Sequence, residues 1–304
     1  MKTGGKALRI GIDLGGSKIE CIALNNNGKT LFRERIGTPS GDYEATVKAV
    51  AAFVETAERE TGKTAARVGV GIPGTLSKKN GLVKNANSVC LIGQPLDKDL
   101  EAALGRPVRL ANDANCFALS EATDGAAKGH QVVFGAILGT GVGGGIVIDQ
   151  KIVTGPNAIA GEWGHNPLPW PQDDERPGPS CYCSQSGCLE TFLSGPGLER
   201  DHFEISGEKL KAPEIVDRAE NGNDEANQTL MRYENRLARA LAALINILDP
   251  DCIVIGGGLS NIGRLYQNVP KLWGEYVFSD QVETRLVAPM HGDSSGVRGA
   301  AWLW

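Results

Sequence analysis

The stretch LRIGIDLGGSKIECIAL, residues 8–24, decides the fold. It is an apolar run, a Gly-Gly-Ser turn and a second apolar run, which reads as strand, glycine turn, strand. The same pattern restarts at VVFGAILGTG (132–141), followed by GGIVID (144–149). Between them, KTLFRERI (29–36) is a third strand candidate, and DYEATVKAVAAFVETAERET (42–61) places Val47, Val50, Ala51, Val54 and Ala57 at helical spacing. RVGVGIP (67–73) and PVRLAND (107–113) read as buried strands, the second running into a helix, ANCFALSEA (114–122). After the second glycine turn come a proline-rich irregular segment (155–180), a long periodic helix over 224–248, a short apolar strand in CIVIGGG (252–258) and a further helix. Two halves that each begin with a glycine-turn hairpin predict a duplicated α/β architecture around a cleft. The expected domains are 1–115 and 116–292, with a C-terminal helix at 293–304 packing back on the first. The acidic run Asp173, Asp174, Glu175 reads as a solvated loop.

Composition narrows the function classes. The chain of 304 residues is 41% hydrophobic and 22% charged, enough apolar mass for one large or two medium domains. Its N-terminus lacks the apolar core of a signal peptide, and its longest apolar run, LARALAALINIL (237–248), is too short and too polar to span a bilayer. A cytoplasmic protein with no membrane partner is expected. A net charge of −5 without a basic stripe argues against nucleic acid. In a reducing compartment, clustered cysteines indicate metal or catalysis more than disulfides.

The glycines need context. GVGIPG (69–74) and GTGVGG (139–144) both match G-x-G-x-x-G, but neither is followed by the helix that a dinucleotide fold requires. The Walker pattern is absent, because Ala23 and Ala57 stand where its first glycine would precede the two GKT triplets. What remains is a pair of strand-turn-strand glycine loops, GIDLGGSK (11–18) and LGTGVGGG (138–145), whose backbone amides suit anionic oxygens. The candidate nucleotide residues are therefore Gly11, Asp13, Gly15, Gly16, Ser17 and Lys18 in the first loop. In the second they are Gly139, Thr140, Gly141, Gly143 and Gly144. Asp13 suits Mg²⁺ held through water, and Lys18 or Ser17 a phosphate. Gly256 and Gly257 in IVIGGGLSN (253–261) would let adenine or ribose approach the backbone. Taken singly, each cluster fits a plain tight turn as well.

GIDLGGSK, LANDAN (110–115), LGTGVGGG, AGEWGH (160–165) and CYCSQSGC (181–188) together resemble the sugar kinases of the ROK family, over nearly the whole chain. The longer runs VKNANS (83–88), GEWGHNPLPW (161–170), CLETFLSG (188–195) and HGDSSGVRGAAWLW (291–304) look like its bacterial fructokinase (manno-fructokinase) branch. The resemblance implies the actin-like ATPase (ribonuclease H-like) fold. It implies ATP with Mg²⁺ as phosphoryl donor and D-fructose, converted to fructose 6-phosphate, as acceptor. Glucose, mannose or an N-acetylhexosamine are alternative acceptors, and a sugar-sensing regulator is the rival class. That rival carries an N-terminal helix-turn-helix, and the roughly seven residues before the first strand are too few for one. A homodimer is the expected assembly.

Asn112 and Asp113 sit where a strand meets a helix, a usual place for chemistry in α/β proteins. Asp113 fits a helix N-cap equally well on spacing. The resemblance makes it the general base, with Asn112 on sugar hydroxyls. It also makes Glu162, His165, Glu190, Asn87 and the backbone near Gly74 sugar contacts. Carboxylates suit this, since each accepts two hydroxyl hydrogen bonds. Cys181, Cys183 and Cys188 supply three thiolates, and His165 is the histidine nearest in sequence, so a structural zinc site of these four is expected. It would pin the GEWGH loop to the cysteine loop and leave the other His165 ring nitrogen for a sugar hydroxyl. Free thiols or a redox pair are the alternatives. Ser184 departs from the family's usual glycine, so a turn with φ > 0 there would be strained. Cys21, Cys90, Cys116 and Cys252 read as core thiols. If Trp163 and NPLPW narrow the sugar entrance, N-acetylated hexosamines should be poor acceptors.

Overall fold

The structure is a computed structural model and describes residues 8–86 and 88–304. Along the chain it runs β1 (Arg9–Leu14), β2 (Lys18–Leu24), β3 (Thr30–Gly37), α1 (Tyr43–Thr61), β4 (Val68–Ile72), β5 (Thr75–Leu76), β6 (Val83–Lys84), α2 (Leu96–Leu104), β7 (Val108–Asn112) and α3 (Asp113–Thr123). It continues with β8 (Val132–Leu138), β9 (Val142–Ile148), β10 (Lys151–Ile152), α4 (Leu189–Leu193), α5 (Gly195–Ser206), α6 (Ala212–Glu220) and α7 (Asp224–Leu248). The last elements are β11 (Cys252–Gly256), α8 (Leu265–Leu272), β12 (Arg285–Val287) and α9 (Ser295–Ala301).

The first sheet has the order β3-β2-β1-β4-β7 and the second β10-β9-β8-β11-β12. In the first, β1, β2 and β3 form an antiparallel meander, while β4 and β7 add in parallel. In the second, β10 lies antiparallel to β9, and β8, β11 and β12 are parallel. This strand order, used twice with helical crossovers, is the actin-like ATPase fold. A separate hairpin, β5–β6, follows β4. By contacts the chain falls into two compact units, 1–128 with 145–160 and 293–304, and 129–144 with 161–292. The division leaves α3 whole in the first unit rather than cutting at residue 115.

In the first unit, α1 buries Val47, Val50, Phe53, Val54 and Ala57 on the sheet. The valine and phenylalanine side chains each contribute roughly 1.5–3 kcal/mol when fully buried. Asp42 caps its start by accepting the Ala45 amide at 2.9 Å, and Gly62 ends it at φ 61°. On the other face, α9 packs Val297 and Ala301 against Ile22 and Leu24. That approach is close. A Cβ on Gly11 or Gly69 would strike the α9 backbone, and one on Gly299 would strike Cys116.

In the second unit, Asn223 caps α7 and accepts the Ala226 amide at 2.8 Å. Arg232, Arg236 and Arg239 follow one face of α7. Arg236 bonds Glu175 at 2.8 Å and Asp201 at 2.7 Å, and Arg239 bonds Glu175 at 2.7 Å. Glu175 is only 7% exposed, so the expectation of a solvated acidic loop fails there. Asp174 pairs with Arg232, and Asp173 alone stands fully in solvent. Among the described residues no helix is long and apolar enough to cross a membrane.

Candidate functional site

Each unit carries its own set of polar groups. In the first, the β1–β2 turn closes through the Gly15 amide on the Lys18 carbonyl at 3.0 Å. The Thr38 hydroxyl donates to the Gly15 carbonyl at 2.8 Å. Gly16, Ser17 and Lys18 stay exposed at the tip. Asp13, at the end of β1, faces Gly71 and Gly296. Burial, then the nearby carboxylates Asp113 and Glu20, push its carboxyl up to about 6 against the pull of Lys18 and Arg35. Glu20 is paired with Arg33 and Arg35, and the other two carboxylates, Asp13 and Asp113, suit a cation held partly through water. Gly11 has another use: its Cα is crossed by α9, so its lack of a side chain is a packing requirement.

Asn112 is the N-cap of α3 and accepts the Ala114 amide at 2.9 Å. Asp113 is the first helical residue and exposed; its own carboxylate lies 2.8 Å from the same amide. The cap is therefore supplied by Asn112. Gly74 has φ 128° and packs closely on Lys84 and Ala86. Asn87 lies outside the described residues.

In the second unit, the turn after β8 is held at both ends. Gly139 donates to Gly141 at 3.0 Å, Gly195 donates to the Gly139 carbonyl at 2.7 Å, and Val142 donates to Glu190 Oε2 at 2.8 Å. Gly144 is buried and Gly143 half-buried. The Gly143 carbonyl accepts from Trp163 Nε1 at 2.7 Å, and a Cβ on Gly144 would meet the Phe134 ring at 2.6 Å. Trp163 is 5% exposed and stacks edge-on with Phe134, so it is a core residue and narrows no entrance. Gly256 ends β11, and Gly257, at φ 81°, packs on the Leu138 carbonyl.

Beside this turn opens a cavity of about 690 Å³, touched by Gly139, Thr140 and Gly258 and walled by Pro196, Pro213, Val216, Leu259 and Ile262. Lys211 and Glu199 pair at its rim at 2.9 Å. An apolar slot next to a glycine turn has the character of a nucleobase pocket. Sequence reasoning missed these walls. The available signals were the starts of α5 and α6, where Pro196 and Pro213 stand within the first two helical positions.

His165, Cys181, Cys183 and Cys188 form one cluster whose ligand atoms all lie within 4.8 Å of one another. Cys183 Sγ and Cys188 Sγ are 3.6 Å apart, as are Cys181 Sγ and His165 Nδ1. Tetrahedral zinc with Zn–S bonds of ~2.3 Å sets sulfurs ~3.8 Å apart, so the four donors fit that ion. Burial, then the neighbouring thiols, push the Cys188 thiol up to about 12, and a cation would favour its thiolate. The backbone helps: Leu168 donates to Gly187 at 2.9 Å and Leu189 to Asn166 at 2.8 Å, joining the two loops directly. His165 Nε2, expected to remain available, lies 3.0 Å from the Tyr182 hydroxyl. Ser184 has φ 71°, the left-handed conformation anticipated there. Glu162 is exposed just before His165.

The profile of the ROK family matches residues 9–304. The chain belongs to the ROK family. Among its relatives is the N-acetyl-D-glucosamine kinase of Photobacterium profundum, 41% identical over 96% of this chain and 98% of that protein. A ROK hexokinase from Thermus thermophilus shares the fold at a TM-score of 0.86, with 30% identity over 97% of each chain. A ROK glucokinase from Streptomyces griseus, solved with glucose and AMPPNP, superposes at a TM-score of 0.75, with 29% identity over 97% of this chain and 98% of that one.

Proposed function

We propose that this ROK chain is an ATP-dependent hexose kinase whose preferred acceptor is N-acetyl-D-glucosamine. The observation that carries the acceptor is the 41% identity, over nearly both full lengths, to an enzyme named for that sugar. The fructokinase-like flanks around Glu162 and Glu190 pointed instead to D-fructose. The steric argument against N-acetylated sugars used Trp163 at the entrance, and Trp163 is buried. The premise for excluding the acetamido group is thereby removed.

In the first unit, Asp113 would accept the proton of the attacking hydroxyl, and Asn112 and the backbone at Gly74 would orient the ring. Phosphoryl transfer asks little more of an enzyme than positioning and charge neutralisation. Asp13 would hold Mg²⁺ through water, which supplies that neutralisation, while Ser17 and Lys18 reach phosphate oxygens. In the second unit, the turn at Gly139–Gly141 would take phosphates and the 690 Å³ cavity the nucleobase. Glu162, His165 and Glu190 would accept or donate to sugar hydroxyls, with His165 also a zinc ligand. The Tyr182 hydroxyl would then move off Nε2 when sugar arrives; at 80% exposure, its ring has room to do so.

A coupled ADP-release assay tests the reading with N-acetylglucosamine, fructose, mannose and glucose. The expected order puts N-acetylglucosamine first in kcat/KM by at least ~10-fold, as when a pocket's polar groups go unpaired with the wrong sugar. A preference for fructose would return the assignment to the flanking-loop resemblance. ADP release with none of the four would sink the hexose kinase reading.

A further inference from the structure

Glu190 stands two residues after the last cysteine of the cluster, yet its carboxylate turns toward the glycine loop. Oε2 accepts the Val142 amide at 2.8 Å and lies 2.7 Å from where a Cβ on Gly141 would sit. A carboxylate is a poor neighbour for phosphate, so its place beside this turn needs a reason besides the sugar contact proposed for it. The Val142 amide supplies one. Five residues on, Gly195 donates to the Gly139 carbonyl at 2.7 Å. The turn is thus gripped at both ends, by α4 through Glu190 and by Gly195, the first residue of α5.

α4 cannot move independently of the cysteine cluster. Its N-cap is the metal-ligand candidate Cys188, whose carbonyl accepts from the Thr191 amide at 2.9 Å and the Thr191 hydroxyl at 2.8 Å. Leu189, Phe192 and Leu193 are buried. A shift in the cluster is therefore passed to Glu190 and from there to Val142.

We propose that Glu190 is a positioning residue for the nucleotide turn, coupling the Cys₃His centre to nucleotide affinity. This rests on the reading that the turn at Gly139–Gly141 takes nucleotide phosphates. Loss of the metal then weakens nucleotide binding as well as sugar binding, and does so before any sugar is present.

The test is calorimetric titration of ADP, without sugar, into zinc-replete and chelator-treated protein. Glu190→Ala is expected to bind ADP about 10-fold more weakly, the range for a lost hydrogen bond to a charged group. Glu190→Gln, which keeps an acceptor, should stay within about 3-fold of wild type. Metal removal from wild type should weaken ADP binding by a factor similar to that of Glu190→Ala, and add little in that variant, because both break one link. Wild-type affinity in Glu190→Ala, or fully additive losses, would overturn the coupling. Should Glu190→Ala fail to fold, hydrogen exchange at the Val142 amide decides: protection unchanged by metal removal overturns it, and faster exchange supports it. If wild type itself binds no ADP, the kinase reading falls first and the coupling with it.

Discussion

Replacing Glu175 with Gln should cost about 3 kcal/mol at pH 7, and the cost should fade in acid. The side chain is 5% exposed, and its carboxylate accepts from Arg236 at 2.8 Å, from Arg239 at 2.7 and 2.8 Å, and from the Gln172 amide at 2.8 Å. Burial alone would raise its pKa; the bonds from Arg239, Arg236 and Gln172 outweigh burial and bring it down to about 2. An unfolded glutamate titrates near ~4.3, so the gap is about 2 units at ~1.4 kcal/mol each. The folded value is the lower one. The stabilisation is therefore complete above ~4.3, falls as the pH drops, and is gone below about 2. Arg236 keeps Asp201, but Arg239 loses its carboxylate, and breaking a buried pair in this way costs ~3–5 kcal/mol in comparable cases, the same size. Urea unfolding followed by tryptophan fluorescence, on metal-replete wild type and variant from pH 7 to pH 3, gives two curves. Their difference isolates Glu175 from every other acid-sensitive group, the cysteine cluster included. It should be about 3 kcal/mol at pH 7 and roughly half that at pH 3. A difference below ~1 kcal/mol at pH 7, or one independent of pH, would refute the argument.

Asp113→Asn should keep the fold, because Asn112 caps α3, and keep sugar binding while kcat falls ~10²–10⁴-fold. Unchanged kcat would leave Asp113 only a first-turn residue. Elemental analysis of purified protein should find close to one zinc per chain from the four donors, and active protein without zinc would remove the proposed anchor. Ser184→Gly should relieve the φ of 71° and stabilise the cysteine loop by up to about 1 kcal/mol, read as slower zinc release to a chelator. Faster release than wild type would contradict the strain.

What was legible in the sequence was what short-range pattern encodes. The β1–β2 hairpin, α1 and the bounds of α7 follow from apolar runs and periodicity within one element. The cysteine cluster was legible because three of its ligands lie within eight residues and few histidines compete. The segment 189–220 was not, since α4, α5 and α6 are short and their apolar faces too brief to show a period. Long-range facts were hidden in another way. Glu175 looks like one of three surface acids until α7 brings Arg236 and Arg239 onto it from more than sixty residues away. Trp163 looks like a gate until Phe134 and the Gly143 carbonyl enclose it. Gly11 and Gly16 belong to one motif and read alike as phosphate glycines. One is glycine because α9, from the far end of the chain, crosses its Cα; the other sits exposed at the turn where an anion could reach its amide. Local pattern shows that a glycine is needed, and only the packing partner shows what it is needed for.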